Sequence, residues 1–387
     1  MATAAQLPLR TDARPAAVPH RFPAARHLGP NWYAVVMGTA IVATAGAGLP
    51  PAVAPPGLRT ACAAVWLLAL ALLTALLAAR ALHWGHHRDQ ARAHLLDPAV
   101  APFYGCPPMA LLAVGGGAVT VGADVIGSRA AVALDVVLFG AGTVAAVAVA
   151  VAVPYLMITR HRIGPADAGP VWLLPLVAPM VSAALGPLLV PHLPAGQARQ
   201  SLLIGCLGLF GLSLLATLLL LPVVVARLVT AGPLPLALTP TLFLVLGPLG
   251  QSTTAVGRFA DVAPGAVPAP YNSGFAVFAV LYGVPVTGFA LLWLGLAGAL
   301  VVRARRRGMR FAMTWWAFTF PVGTCATGAE ALARRTGLVV LDGLAVALYG
   351  LLVAAWAVAA AGTVRGLVSG ELTRGPAGPR PTTVRTR

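Results

Sequence analysis

Lysine is absent from this 387-residue sequence, and aspartate and glutamate together number only 10 against 26 arginines. Charged residues make up 9% of the chain, far below the roughly 25% of a soluble domain, which excludes an ordinary water-soluble fold. Cysteine is scarce too. Cys62, Cys106, Cys206 and Cys325 each sit in an apolar run, with neither a CxxC pair nor a disulfide framework, so they read as small buried hydrophobes. Long polar stretches are missing as well, so no large soluble domain accompanies the 59% hydrophobic bulk. The arginine excess therefore reads as a membrane-topology signal, and no nucleic-acid partner is expected.

Ionisable groups are missing where membrane chemistry would need them. All eight histidines lie outside the apolar runs or at their ends, which argues against a haem protein, whose axial ligands sit inside helices. His83, His86, His87 and His94 cluster beside Trp84 in an Arg-rich connection and read as a solvated interfacial loop rather than a metal site. Without a histidine inside the membrane, no nucleophile and base can be paired for an embedded hydrolase. The acids are equally peripheral, leaving Glu330 and Asp135 as the candidates for a proton-linked step, each near a predicted helix end. No enzyme, cofactor or metal is expected.

What is present is a series of apolar windows of about 20 residues, the length that crosses a bilayer. They fall near 31–50, 58–79, 102–122, 130–153, 170–190, 200–221, 236–256, 273–301, 311–331 and 338–361. Residues 1–28 and 364–387 read as disordered cytoplasmic arms, and no cleavable leader is visible in the first 30 residues. Arginines divide unevenly over the connections. Arg59, Arg129, Arg199, Arg258, Arg334 and Arg335 fall on one side, and the other 20, including both tails, fall on the opposite side. The positive-inside rule then places both termini in the cytoplasm.

The odd-numbered windows carry helix-weakening residues near their middles: Gly38; Pro107 and Pro108 with Gly115–117; Pro175 and Pro179; Gly247 and Pro248; Pro321. The even windows are smoother, Pro285 excepted. Broken backbone is tolerated in a membrane where protein or a water-filled cavity satisfies the freed groups. The expected architecture is thus all-α, with five kinked inner helices backed by five straighter outer ones around a central path. Such a path is uncharged, and its selectivity would rest on width and on weak dipoles such as Thr39, Gln251 and Thr319.

Four segments carry a family resemblance: GPNWYAVVMGTAIVATA at 29–45, WLLPLVAPMVSAALGPLLVPHLP at 172–194, PTLFLVLGPLGQSTTA at 240–255 and RFAMTWWAFTFPVGTCATGAEAL at 310–332. Together they resemble the tellurite-resistance/dicarboxylate transporter family, which includes the plant slow-type anion channels, malate permeases and sulfite efflux pumps. The resemblance implies ten transmembrane helices in five hairpins with quasi-fivefold symmetry, and a homotrimer in the plasma membrane with one pore per protomer. It also implies a phenylalanine gate on the ninth span at Phe320, with Phe318 of the same FTF triplet as the fallback. The candidate pore-lining residues are Met37, Gly38, Thr39, Pro107, Pro108, Pro179, Gly247, Pro248, Gln251, Thr319 and Pro321. Trp315 and Trp316 fit an interfacial belt. The expected ligands are small anions, from C4-dicarboxylates such as malate to chloride, nitrate and sulfite. A proton-coupled carrier and a membrane-embedded enzyme or sensor are the alternatives.

Overall fold

The computed structural model describes residues 28–372; the N-terminal arm up to residue 27 and the tail from 373 lie outside the described residues. Within them the chain is helical without a strand. In chain order the α-helices are α1 (Tyr33–Gly48), α2 (Leu58–His86), α3 (Arg88–Leu96), α4 (Cys106–Gly117), α5 (Ala123–Ile126), α6 (Ser128–Thr159), α7 (Leu173–Leu185), α8 (Gln197–Ala231), α9 (Leu246–Val262), α10 (Tyr271–Arg306), α11 (Phe320–Thr336) and α12 (Val339–Val368). Seven helical stretches among the described residues are long and apolar enough to cross a membrane. Helices α1, α9 and α11 are shorter, at 16, 17 and 17 residues.

The shortness has a local cause. Each of α1, α4, α7, α9 and α11 is preceded directly by a 3-10 segment: Pro30–Trp32, Ala101–Gly105, Pro170–Trp172, Leu236–Val245 and Met313–Phe318. Proline in a first helical turn has no N–H to lose and a φ already suited to the helix. Pro107 and Pro108 open α4, Pro248 lies in the first turn of α9, and Pro321 opens α11. The breaks expected at Pro107, Pro108, Pro248 and Pro321 are therefore helix starts, whereas Pro179 lies inside α7. Gly38 does not weaken α1, which runs through it unbroken. Proline also fails to separate inner from outer helices, because α6, α8 and α10 continue through Pro154, Pro222 and Pro285.

Burial makes the separation. Helices α1, α4, α7, α9 and α11 pack in a closed circuit, each against the next and α11 back against α1. Outside them α2, α6, α8, α10 and α12 each pack on the inner helix that precedes them and touch the one that follows. In the span 170–192 containing α7, 89% of the apolar window is buried, against 22% for α6, α8 and α12. Val137, Val144, Val151 and Ile158 form an exposed seven-residue stripe along α6, an apolar face suited to lipid and not to water.

Outer side chains satisfy inner backbone. Trp66 of α2 donates its indole N–H to the Val114 carbonyl of α4 at 3.0 Å, next to the Gly115–Gly117 run and the π-turn Ala118–Gly122. Ser213 of α8 donates to Leu176 O at 2.7 Å, and Trp293 of α10 donates to Leu242 O at 2.9 Å. Trp66→Phe keeps the ring and removes the donor, so it should lower the melting temperature by an amount matching about 1 kcal/mol. An unchanged Tm in detergent would mean that the Val114 carbonyl needs no such partner.

Several readings from sequence change here. His83 and His87 are buried, with His83 stacked on His94 at 5.5 Å, and residues 88–96 form a helix, so this part of the cluster is packed, while His86 and Trp84 remain exposed. Trp316 is buried and donates to Thr363 Oγ1 of α12, which removes it from an interfacial belt, whereas Trp315 lies under the Arg305 guanidinium at 5.2 Å.

Candidate functional site

Cavities at the two ends of the inner circuit define a path along its axis. The five inner helices run parallel, so their N-terminal turns share one end, which also carries the arginine-rich connections. There, a cavity of about 20 Å³ is lined by residues from every inner segment: Met37 of α1, Met109 of α4, Leu173, Leu174 and Val177 of α7, Leu244 and Gly247 at the start of α9, and Phe320 and Pro321 of α11. A neighbouring cavity of about 40 Å³ shares Met37, Leu174, Leu244, Phe320 and Pro321 and adds Asn31, Phe103 and Cys106. Phe320 is thus a common wall of both, and at 3% exposure it is packed into the narrow part of the path. Each cavity holds no more than a few waters and is lined mainly by apolar side chains.

The opposite end is wider and charged. A cavity of about 270 Å³ is bordered by Thr44, Ala47 and Gly48 of α1, Thr120 beyond α4, Leu188 beyond α7, Thr254, Arg258 and Asp261 of α9, and Thr327, Glu330 and Arg334 of α11. All five inner segments contribute again. From Phe320 to Thr327, or from Gly247 to Thr254, is seven residues, about 10 Å of helix rise. The two ends therefore lie on one line with a short dry stretch between them.

The charged mouth is held by side-chain bonds between α9 and α11. Thr254 and Thr327 share a hydroxyl hydrogen bond of 2.7 Å, and Arg335 pairs with Asp261. Arg258 donates from Nη1 to the Ala184 carbonyl near the C-terminal end of α7 at 2.9 Å. The Glu330 side chain sits against Gly48, where a methyl group would overlap its carboxylate, and Glu330 Oε1 is buried with no hydrogen-bond partner.

These positions sort the sequence candidates. Met37, Gly247, Phe320 and Pro321 border the narrow cavities, and a side chain added at Gly247 would meet open space. Gln251 lies between the ends on the α9 face shared by Gly247, Thr254 and Arg258, at helical spacing. Phe318 is turned elsewhere: it packs edge-on to Phe243 at 4.8 Å and to Trp315 at 5.8 Å, and it borders neither narrow cavity.

Other candidates leave the path. Thr39 donates to Val35 O and accepts from the Trp356 indole of α12, so its hydroxyl faces an outer helix. Thr319 donates to Trp316 O and lies against Gly38; a Cβ at Gly38 would collide with it, so both mark the close approach of α1 to the start of α11. Pro107, Pro108, Pro179 and Pro248 shape helix starts or α7 without bordering these cavities. Their neighbours Cys106, Met109, Leu174, Val177 and Leu244 line the path instead. Asp135 is buried beside Gly115 between α6 and α4 and borders none of these cavities, within electrostatic reach of Arg258, while Glu330 borders the wide one.

The residues missed from sequence are Arg258 and Arg334. Both were counted as loop arginines because the seventh window closes at 256 and the ninth at 331. The structure continues α9 to Val262 and α11 to Thr336, bringing both arginines to the mouth. Extending the Gly247, Gln251, Thr254 series by one more turn reaches Arg258, and that signal was available.

A ring of five inner helices with narrow apolar cavities at one end and a cationic mouth at the other suits the passage of anions. A family model described as the voltage-dependent anion channel family, SLAC1, matches residues 27–364. The chain belongs to the SLAC1 family. As a member it is an integral membrane protein of an anion channel and transporter family. An uncharacterized transporter of Methanocaldococcus jannaschii is 26% identical over 89% of this chain and 95% of its own length. The sulfite efflux pump SSU1 of Arthroderma otae is 27% identical over 87% of this chain and 89% of that pump, and that of Trichophyton rubrum is 27% identical over 79% and 82%. The SLAC1-family match spans all five inner helices, so all three cavities fall inside it.

Proposed function

We propose that this SLAC1-family protein passes small anions along the axis of its inner helices, with the Phe320 ring as the gate. The observation that carries the reading is that every inner segment borders both ends of the path while Phe320 is shared by the two narrow cavities. The rise of α9, about 25 Å at 1.5 Å per residue, together with the 3-10 segment Leu236–Val245 before it, is enough to span hydrocarbon of about 30 Å. The same holds for α11 with Met313–Phe318. This supports ten spans in five hairpins with quasi-fivefold symmetry. The arginine-rich end is cytoplasmic by the positive-inside rule, with both termini on that side in the plasma membrane, and the assembly is a homotrimer with a path in each protomer.

Sulfite is the first substrate to test, because two relatives are named as sulfite efflux pumps. Chloride, nitrate and C4-dicarboxylates such as malate share the charge and are the comparators. In proteoliposomes holding the purified chain, efflux of each anion is expected to follow its own gradient and to fall with anion size. Saturable movement of the monovalent anions chloride and nitrate that follows an imposed proton gradient would favour the coupled carrier instead, and absence of movement for all four would overturn transport. No role in tellurite resistance is needed to account for the path.

A further inference from the structure

The charged mouth contains more than a passive funnel needs. Arg258 and Arg334 contribute two positive charges and Glu330 one negative charge, while Asp261 is paired with Arg335. With Glu330 ionised the unpaired charge is one positive; with Glu330 protonated it is two. Glu330 is 4% exposed and lines the cavity, and its Oε1 is buried without a hydrogen-bond partner. A buried ionised oxygen left without a donor is costly, and a proton relieves that cost. The cavity of about 270 Å³ has room for a tetrahedral oxyanion and several waters, at about 30 Å³ per water.

From this geometry we infer that the mouth is an anion-binding site and that Glu330 sets the valence it accepts. Ionised Glu330 leaves a site neutralised by one monovalent anion. A divalent oxyanion enters together with a proton taken from water onto Glu330, whose O–H then donates to the anion, and the proton leaves when the anion does. The inference rests on the path proposed above and concerns its selectivity. A purely structural role also exists for Arg258 and Arg334, as cations near the C-terminal ends of α9 and α11. That role affects stability and not the choice between anions.

The groups around Glu330 leave few rivals for a proton-linked response. Helix α9 offers Arg258 and the paired Asp261, α11 offers Arg334 and Arg335, and α1 offers only Thr44, Ala47 and Gly48. From α2 come Cys62 and Arg59, the latter paired with Asp124 beyond α4, and from α12 comes Tyr349; Cys62 and Tyr349 are within electrostatic reach of Glu330. Ordinary thiols and phenols titrate near about 8.5 and 10. Asp135 of α6, buried and within electrostatic reach of Arg258, and His192, exposed one turn beyond Leu188, are the groups that must be controlled.

The test compares sulfate, a dianion throughout pH 5.5 to 8, with nitrate, a monoanion, in proteoliposomes with the full chain. The wild-type sulfate-to-nitrate flux ratio should rise as pH falls, by up to about tenfold per pH unit where one proton accompanies each sulfate. Glu330→Gln should raise that ratio at pH 8 by about tenfold, from one unit of removed charge at short range, and make it flat with pH. His192→Gln and Asp135→Asn should each keep the wild-type slope. Independently of any variant, adding sulfate to weakly buffered wild-type protein should take up protons, and adding nitrate should not. A folded Glu330→Gln protein with the wild-type ratio and slope, or sulfate binding without proton uptake, would overturn the inference while leaving transport standing. Movement of neither anion through the wild type would overturn the transport reading and this inference with it.

Discussion

Phe320→Ala should raise passive anion flux by about tenfold or more, equivalent to removing about 1.4 kcal/mol of barrier. The reason is positional. The ring is a common wall of two narrow cavities bordered also by Met37, Leu174 and Leu244, and alanine would join them. Phe318→Ala supplies the contrast. Its ring packs on Phe243 and Trp315 and borders neither narrow cavity, and it is only half-buried, so its loss should cost stability, at or below the lower end of the about 3–5 kcal/mol seen for buried aromatic truncations, with no gain in flux. Flux from proteoliposomes together with a melting curve for each variant separates the two residues. Raised flux in Phe318→Ala and unchanged flux in folded Phe320→Ala would exchange their roles.

The second large effect is expected at Arg258. Arg258→Gln takes the unpaired charge of the mouth from one positive to zero while Arg334 and Glu330 remain. Flux at low anion concentration should fall about tenfold, because a cleft of one sign raises the local concentration of its counter-ion and the on-rate. The loss should shrink at saturating anion and at low salt be larger than at high salt, where exposed charge is screened. Glutamine is shorter and gives up the bond that Arg258 Nη1 makes to Ala184 O, so a melting curve accompanies the flux measurement. Arg258→Lys keeps the charge and should retain most of the flux. Equal flux for glutamine and arginine at every concentration would remove Arg258 from the mechanism.

The candidate site was legible in sequence to different depths. Each of the ten apolar windows is occupied by helix, because long uncharged runs leave the backbone no other way to satisfy its hydrogen bonds in lipid. The FTF triplet narrowed the gate to two residues, and side-chain packing separated them. Thr39 and Thr319 looked like path dipoles because hydroxyls on broken spans are plausible linings. Their hydroxyls are instead taken up by Trp356 and by the Trp316 carbonyl, and such bonds depend on which face of a helix meets which neighbour. Proline positions were misread for a related reason: a proline looks the same in sequence whether it breaks a helix or opens one, and here Pro107, Pro108 and Pro321 open theirs.

What the sequence alone determined is the medium and the helices: composition decides that the chain lives in lipid, and apolar run length decides where it crosses. Tertiary structure decided which helices face inward and which side chains meet on the axis. Arg258, Glu330 and Arg334 come from α9 and α11, more than 70 positions apart at their widest in the chain, and share one cavity only because these helices pack side by side. The exchange of water for neighbouring helices, residue by residue, is a property of packing, and no window along the chain contains it.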